Sequence, residues 1–176
     1  MTLRVVTLFS LLLSLSVSQA GDADQLLAAA SLGRYRQLTD LITDGVDVNA
    51  KNAAGKPALS LATYFGNTMS VRALLGAGAN PNQADSLGNT ALMDAAASGR
   101  VAIIQLLIEA GADVNLKNNM GLSALARATN AHNAIQVTEL LKKAGAVEDK
   151  PKEPEGDPDA EADPEKSKGK PAEPTD

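Results

Sequence analysis

Apolar positions along this chain recur on two scales, one within a helix and one between copies of a unit. In "VAIIQLLIEAG", Val101, Ile104, Leu107 and Ile108 fall on one stripe of a helix, and Gly111 stands where that helix would end. Just upstream, "NTALMDAAASGR" predicts a shorter, Ala-rich helix that starts near Thr90 and breaks at Gly99. The Thr90 hydroxyl can accept a hydrogen bond from a free amide at that helix start. Downstream, "ADVNLKNNMG" loses the helical period and carries Asp113, Asn115, Asn118 and Asn119 ahead of Gly121, side chains suited to extended turns. Only a few residues separate the two helices, so they should run antiparallel. The local order is helix, helix, extended turn.

The same order returns every 33 residues. Leu26, Leu59, Leu92 and Leu125 share that interval, as do Ala29, Ala62, Ala95 and Ala128. Gly33, Gly66 and Gly99 form a second set, Gly55, Gly88 and Gly121 a third, and Asn49, Asn82 and Asn115 a fourth. Gly45, Gly78 and Gly111 keep step, but Gly145 arrives one residue late, which predicts a single-residue insertion within "ATNAHNAIQV". A two-helix unit of this size cannot cover its own apolar stripe, so neighbouring copies must stack and share a core. The expected fold is therefore all-α, a solenoid of four stacked units at about 22–52, 53–85, 86–118 and 119–147, joined by extended, hairpin-like loops. Polar residues Arg34, Arg36, Gln37 and Thr39 in the first unit, and Gln136, Thr138, Glu139, Lys142 and Lys143 in the last, suit the two ends of such a stack.

The motifs "GNTALMDAAASGR" and "LIEAGADVN" resemble the ankyrin-repeat family, and the resemblance runs through residues 21–147. Where that family carries Thr-Pro-Leu-His, this chain has Pro57-Ala58-Leu59-Ser60, Thr90-Ala91-Leu92-Met93 and Ser123-Ala124-Leu125-Ala126. The lost His removes a hydrogen-bonding partner in each unit, so lower stability than a consensus array is expected. The resemblance also implies a binding surface, a concave face lined by the turn tips and the exposed side of each first helix. Position by position, the tips are Ala53-Ala54, Ser86-Leu87 and Asn119-Met120, followed by Lys56, Asn89 and Leu122. Along the first helices the face continues through Leu61, Asp94 and Arg127, then Tyr64 with Phe65, Ala97 with Ser98, and Asn130 with Ala131.

Solvent-facing repeat positions are ordinarily polar, so Leu61, Tyr64, Phe65, Leu87, Met120 and Leu122 stand out as candidate contacts with a protein partner. Tyr64 and Phe65 have a second reading, in which they fold back to seal the gap between the second and third units. Tyr35, early in the second helix of the first unit, is expected to pack. Asp94 and Arg127 could pair with each other across units; an exposed pair of that kind contributes under about 1 kcal/mol.

Composition narrows the chemistry. The chain has no Cys, which excludes disulfides, thiolate metal sites and a cysteine nucleophile, and its one His, His132, lies between the helices of the last unit with no partner at a recognisable catalytic spacing. "GDADQ" and "GDPDAEAD" alternate carboxylates as calcium loops do, but the first lacks the downstream Gly and bidentate Glu of such a loop, the second lies in the expected disordered tail, and both read as solvated charge. No cofactor, metal or enzymatic activity is expected. The stretch from Gly21 to Val147 has ten acidic and ten basic residues, and the deficit of aromatic and basic side chains argues against nucleic acid. The overall charge of −5 belongs to the Pro-rich segment 148–176, with eleven acidic and five basic residues, which should be a disordered tail.

The first 20 residues carry Arg4, an apolar run from Val5 to Val17 and Ser18-Gln19-Ala20, the plan of a cleaved secretory signal. The run is shorter than the roughly 20 residues needed to span a bilayer. The chain is thus expected to be periplasmic or secreted, a monomer when unbound, not inserted in a membrane after cleavage, and to act by recognising another protein. A narrower form of this reading is an inhibitor or immunity protein that blocks an extracytoplasmic enzyme. Others are a protein that protects the envelope under stress, and a structural spacer whose tail contacts a basic surface.

Overall fold

The computed structural model describes residues 21–129 and 131–148; the expected signal, residues 1–20, and the tail beyond residue 148 lie outside the described residues. Among the described residues there are eight helices and no sheet. They are α1 (residues 21–32), α2 (Tyr35–Thr43), α3 (Ala58–Phe65), α4 (Thr68–Gly76), α5 (Ala91–Ala97), α6 (Val101–Glu109), α7 (Ala124–Ala128) and α8 (Ala134–Lys143). The "GDADQ" stretch opens α1 and is helical, so it forms no loop.

Helices pair within a unit, α3 with α4, α5 with α6 and α7 with α8. They also stack between units as two rows, α3–α5–α7 on one side and α2–α4–α6–α8 on the other. The sequence dictates both contacts. Leu59, Leu92 and Leu125 are buried at one register of the first row, and Ala62, Ala95 and Ala128 beside them are small enough to let the helices approach closely. In the second row Leu38, Val71, Ile104 and Val137 occupy one buried register. Within α6 the core takes Ile103, Ile104 and Leu107, while Val101 and Ile108 of the expected stripe are only half-buried. The solenoid of four units is thus what the chain forms.

The extra residue of the last unit is not where the sequence pattern put it. Val137 is the exact 33-residue counterpart of Ile104, and its amide bonds to Asn133 O as the Ile104 amide bonds to Arg100 O. Beyond it the offset becomes 34: Ala146 N donates to Leu141 O as Ala112 N does to Leu107 O. The insertion therefore lies inside α8, which has ten residues against nine in α6. A helix absorbs the extra residue by burying Val137 and Leu141 at i, i+4 in place of Ile104 and Leu107 at i, i+3, which share the same face.

Two polar ladders join the units. In the first, Asn49 Oδ1 accepts from Asn80 N at 2.8 Å, Asn82 Oδ1 from Asp113 N at 2.7 Å and Asn115 Oδ1 from Val147 N at 2.9 Å. The amides of Asn82 and Asn115 also donate forward, to Gly111 O and Gly145 O. In the second, the residue just before the second helix of each unit reaches back to the carbonyls that end the preceding unit's first helix. Asn67 Nδ2 donates to Ala30 O and Ser31 O, Arg100 Nη2 to Tyr64 O, and Asn133 Nδ2 to Gly99 O. Carbonyls left over at a helix C-terminus thereby find donors in the next unit.

The His-deficient first helices have a local consequence in the second unit. Ser60, where the family carries His, is buried with its hydroxyl unpartnered, and the same is true of Thr63 and Ser70. In the third unit the equivalent of Ser60 is Met93, an apolar core residue. At the C-terminal end, Lys142 Nζ lies 2.6 Å from Glu148 Oε1. This hydrogen bond, and then the Lys142 charge, hold the exposed Glu148 carboxyl below the usual carboxylate range.

Three stability changes follow, each read from urea denaturation midpoints. Asn82→Ala removes an amide that bonds to both Asp113 and Gly111, and should destabilise by about 1–3 kcal/mol. Thr63→Val replaces an unpartnered buried hydroxyl with a methyl of similar shape and should stabilise by about 1 kcal/mol. Gly66→Ala should destabilise by about 1–2 kcal/mol, because Gly66 has φ +78° and its added Cβ would overlap the Arg100 guanidinium.

Candidate functional site

The loop between units is a small hairpin pinned by one side chain. Asn52 Oδ1 accepts from Ala54 N and Lys56 N, Asp85 Oδ1 from Leu87 N and Asn89 N, and Asn118 Oδ1 from Met120 N and Leu122 N. Each of these residues also donates its backbone N–H across the loop, to Lys56 O, Asn89 O and Leu122 O respectively. The tips therefore have a fixed shape, and Leu87 and Met120 project from them into solvent with Leu122 close behind.

Next to the tips, α3 shows the face that the first helices turn away from the core. Ala58, Leu59 and Ala62 are buried; positions 61, 64 and 65 share the opposite stripe, at i, i+3 and i+4. Tyr64 and Phe65 are 55% and 54% exposed, so they do not seal the gap between units. Their rings meet edge-to-face, with centroids 5.2 Å apart and planes at 88°. The Lys56 ammonium sits 4.9 Å from the centre of the Tyr64 ring, within cation–π range. Leu61 is only half-buried and rests against the core, so it contributes less to the surface than its position in the pattern predicts.

The centre of the face is internally paired, and here two expectations are corrected. Asn89 and Asp94 were expected to face solvent, yet they are 7% and 5% exposed. Asp94 Oδ2 lies 2.9 Å from Lys56 Nζ, and Asp94 Oδ1 lies 3.7 Å from Arg127 Nη2. Arg127 Nη1 also donates to Asn89 Oδ1, which accepts from Asn118 Nδ2 at 2.9 Å. One carboxylate thus joins cations from the units on either side of it. The pairing of Asp94 with Arg127 is real, but the sequence pattern missed Lys56, and burial makes the carboxylate more than a surface partner. A buried carboxylate stripped of both cations would remain uncompensated.

Of the remaining candidates, Ser98 is exposed at the end of α5 and donates its hydroxyl to Asp94 O, closing the helix. Tyr35 was expected to pack but is 42% exposed, because it opens α2 on the outer side of the first unit. His132 is an exposed turn residue. Among the described residues no group of three His, Asp or Glu side chains is arranged to hold a metal ion, and no helix is long and apolar enough to cross a membrane.

A row of hairpin tips and first-helix faces carried on a stack of paired helices defines a helical-repeat protein. The chain belongs to the ankyrin-repeat family: the family model described as ankyrin repeats (3 copies) matches residues 26–118, and α7 with α8 adds a fourth unit beyond that match. Repeats of this family generally mediate protein–protein interaction and are typically non-catalytic. No curated protein matches the chain.

The ion-pair cluster can be tested by stability. Lys56→Met combined with Arg127→Met should destabilise by about 3–5 kcal/mol, and adding Asp94→Leu to that pair should recover most of the loss in a urea titration. Full retention of stability by the double variant would mean that Asp94 is not held by these cations.

Proposed function

We propose that this chain is an exported protein-binding module that works by stoichiometric recognition of a protein partner, with the hairpin tips and the Tyr64–Phe65 pair as its contact surface. The observation that carries this reading is the aromatic pair: two large rings stand in solvent on the first-helix face, fixed by their mutual edge-to-face contact and by Lys56. Aromatic side chains held in place before binding lose little freedom on association and are favoured as interface anchors. Leu87, Met120 and Leu122 extend the apolar surface along the tips of the third and fourth units. Export is supported by the leader pattern of residues 1–20. The interior of the face, from Lys56 through Asp94 to Arg127, keeps the units in register and leaves the rim to make contact.

The test is capture of extracytoplasmic proteins by residues 21–176, in parallel with Tyr64→Ala plus Phe65→Ala and with Leu87→Ser plus Met120→Ser. Loss of a specific partner with either pair, by tenfold or more in affinity, is the expected result. Equal recovery by folded double variants would reject this surface as the site. Deleting residues 149–176 should leave capture unchanged.

A further inference from the structure

Inside the stack, each unit is covered on one side by the unit that follows it: α5 packs on α3 and α7 on α5, with α6 on α4 and α8 on α6 in the other row. Among the described residues no helix lies across α7 and α8 in this way. The cleft left there holds about 270 Å³ and is lined by Leu125, Ala126, Thr129, Thr138, Lys142 and Glu148. Its openness is out of keeping with the register. Met93 and Ala96, 33 residues before Ala126 and Thr129, are 1% and 0% exposed in the third unit, whereas Ala126 is half-buried and Thr129 is exposed. The end unit of a stack needs a cover with a polar outer side.

The chain is carried to the rim of this cleft. Ala146 N donates to Leu141 O and Val147 N to Asn115 Oδ1, so the backbone is tied to α8 and to the loop of the third unit as far as residue 147. Glu148 then lines the cleft itself, with its carboxylate on Lys142 Nζ. The residues that follow are Asp149-Lys150-Pro151-Lys152-Glu153-Pro154. At about 3.3–3.6 Å per residue Pro151 can lie up to about 10 Å from Glu148. Packed helices are about 8–10 Å apart, so this segment is long enough to cross from α8 to α7.

The chemistry of the segment suits the place. A proline ring brings apolar surface without a backbone N–H to desolvate, and its fixed φ leaves less freedom to lose when the chain is laid down. Pro151 is the first residue after Val147 with an apolar side chain, and the apolar part of the cleft is Leu125 with Ala126. Asp149 and Glu153 stand on either side of that proline, and the last turn of α8 carries Lys142 and Lys143.

We propose that residues 149–154 fold back across the cleft as a strap, with Glu148 on Lys142 as its clasp and the Pro151 ring on Leu125 and Ala126. The chain thereby covers the open end of its own last unit. The hairpin tips and the Tyr64–Phe65 pair take no part, so this inference stands or falls apart from the proposed protein-binding site.

Backbone 15N relaxation of residues 21–176 tests it. The amides of Asp149, Lys150, Lys152 and Glu153 should have order parameters close to the roughly 0.85 of rigid backbone, and those of residues 165–176 should fall below about 0.6. Pro151→Ser plus Pro154→Ser should bring residues 149–153 down to the same low range; both positions lie outside the apolar core, so folding is not at stake. Removing residues 149–176 should speed hydrogen exchange at the Thr129 and Thr138 amides at least about fivefold and leave the amides of α3 unchanged. A nitroxide on Lys152→Cys, the single thiol in a chain that otherwise has no Cys, distinguishes the strap from a second copy seated in the cleft. It should broaden the Ala126 and Thr129 amides of its own chain and leave those of an unlabelled chain mixed with it sharp. Low order parameters at residues 149–153 of the unaltered chain, exchange unchanged by the truncation, or broadening that passes between chains would overturn the inference.

Discussion

Every unit in this stack depends on its neighbour for a dry interior. A pair of helices with Leu and Ala on one stripe leaves that stripe wet unless another pair covers it, and Leu59, Leu92 and Leu125 are buried because the helices of adjacent units lie across them. Apolar burial of this kind has no inherent register. The polar ladders supply it, since Asn49, Asn82 and Asn115 can meet the next unit's backbone amide only when the units are aligned. Hydrophobic contact drives the stack and directional hydrogen bonds fix its spacing.

The candidate contact surface is a consequence of that division of labour. Side chains that face neither the core nor a ladder are free to vary without loss of fold, and in this chain several of them are large and apolar. Tyr64 and Phe65 stand on a helix whose opposite side is saturated with buried contacts, so their position is set by a rigid support. The ion-pair cluster at Asp94 has a different character. It ties three units together from the surface side, with one carboxylate between two cations, and it makes the middle of the face part of the scaffold.

Much of this architecture was legible in the sequence because the 33-residue period repeats the same physical requirement four times over. The glycines with positive φ, the turn-forming Asn and Asp, and the Thr90 cap, which accepts from Met93 N, all lie where the pattern puts them. What the pattern could not carry was contact between different registers. Lys56 meets Asp94, and Arg127 meets Asn89, at separations of 38 residues, an offset that only stacked coordinates reveal. Asn89 and Asp94 were assigned to the surface by their place in the binding face that the resemblance implied; they are buried because each has partners in an adjoining unit. The inserted residue was assigned to "ATNAHNAIQV" from the late arrival of Gly145, but it lies beyond Val137, where a ten-residue α8 accommodates it by changing which two residues face inward.

Native-state hydrogen exchange tests the central claim most directly, followed at the amides of Asn80 and Asp113, which donate across the unit boundaries, and at amides within α5. If the units stand only by covering one another, the boundary amides should exchange with the same opening free energy and denaturant dependence as the middle helices. Boundary amides that exchange freely while α5 stays protected, or units that open with separate free energies, would contradict it.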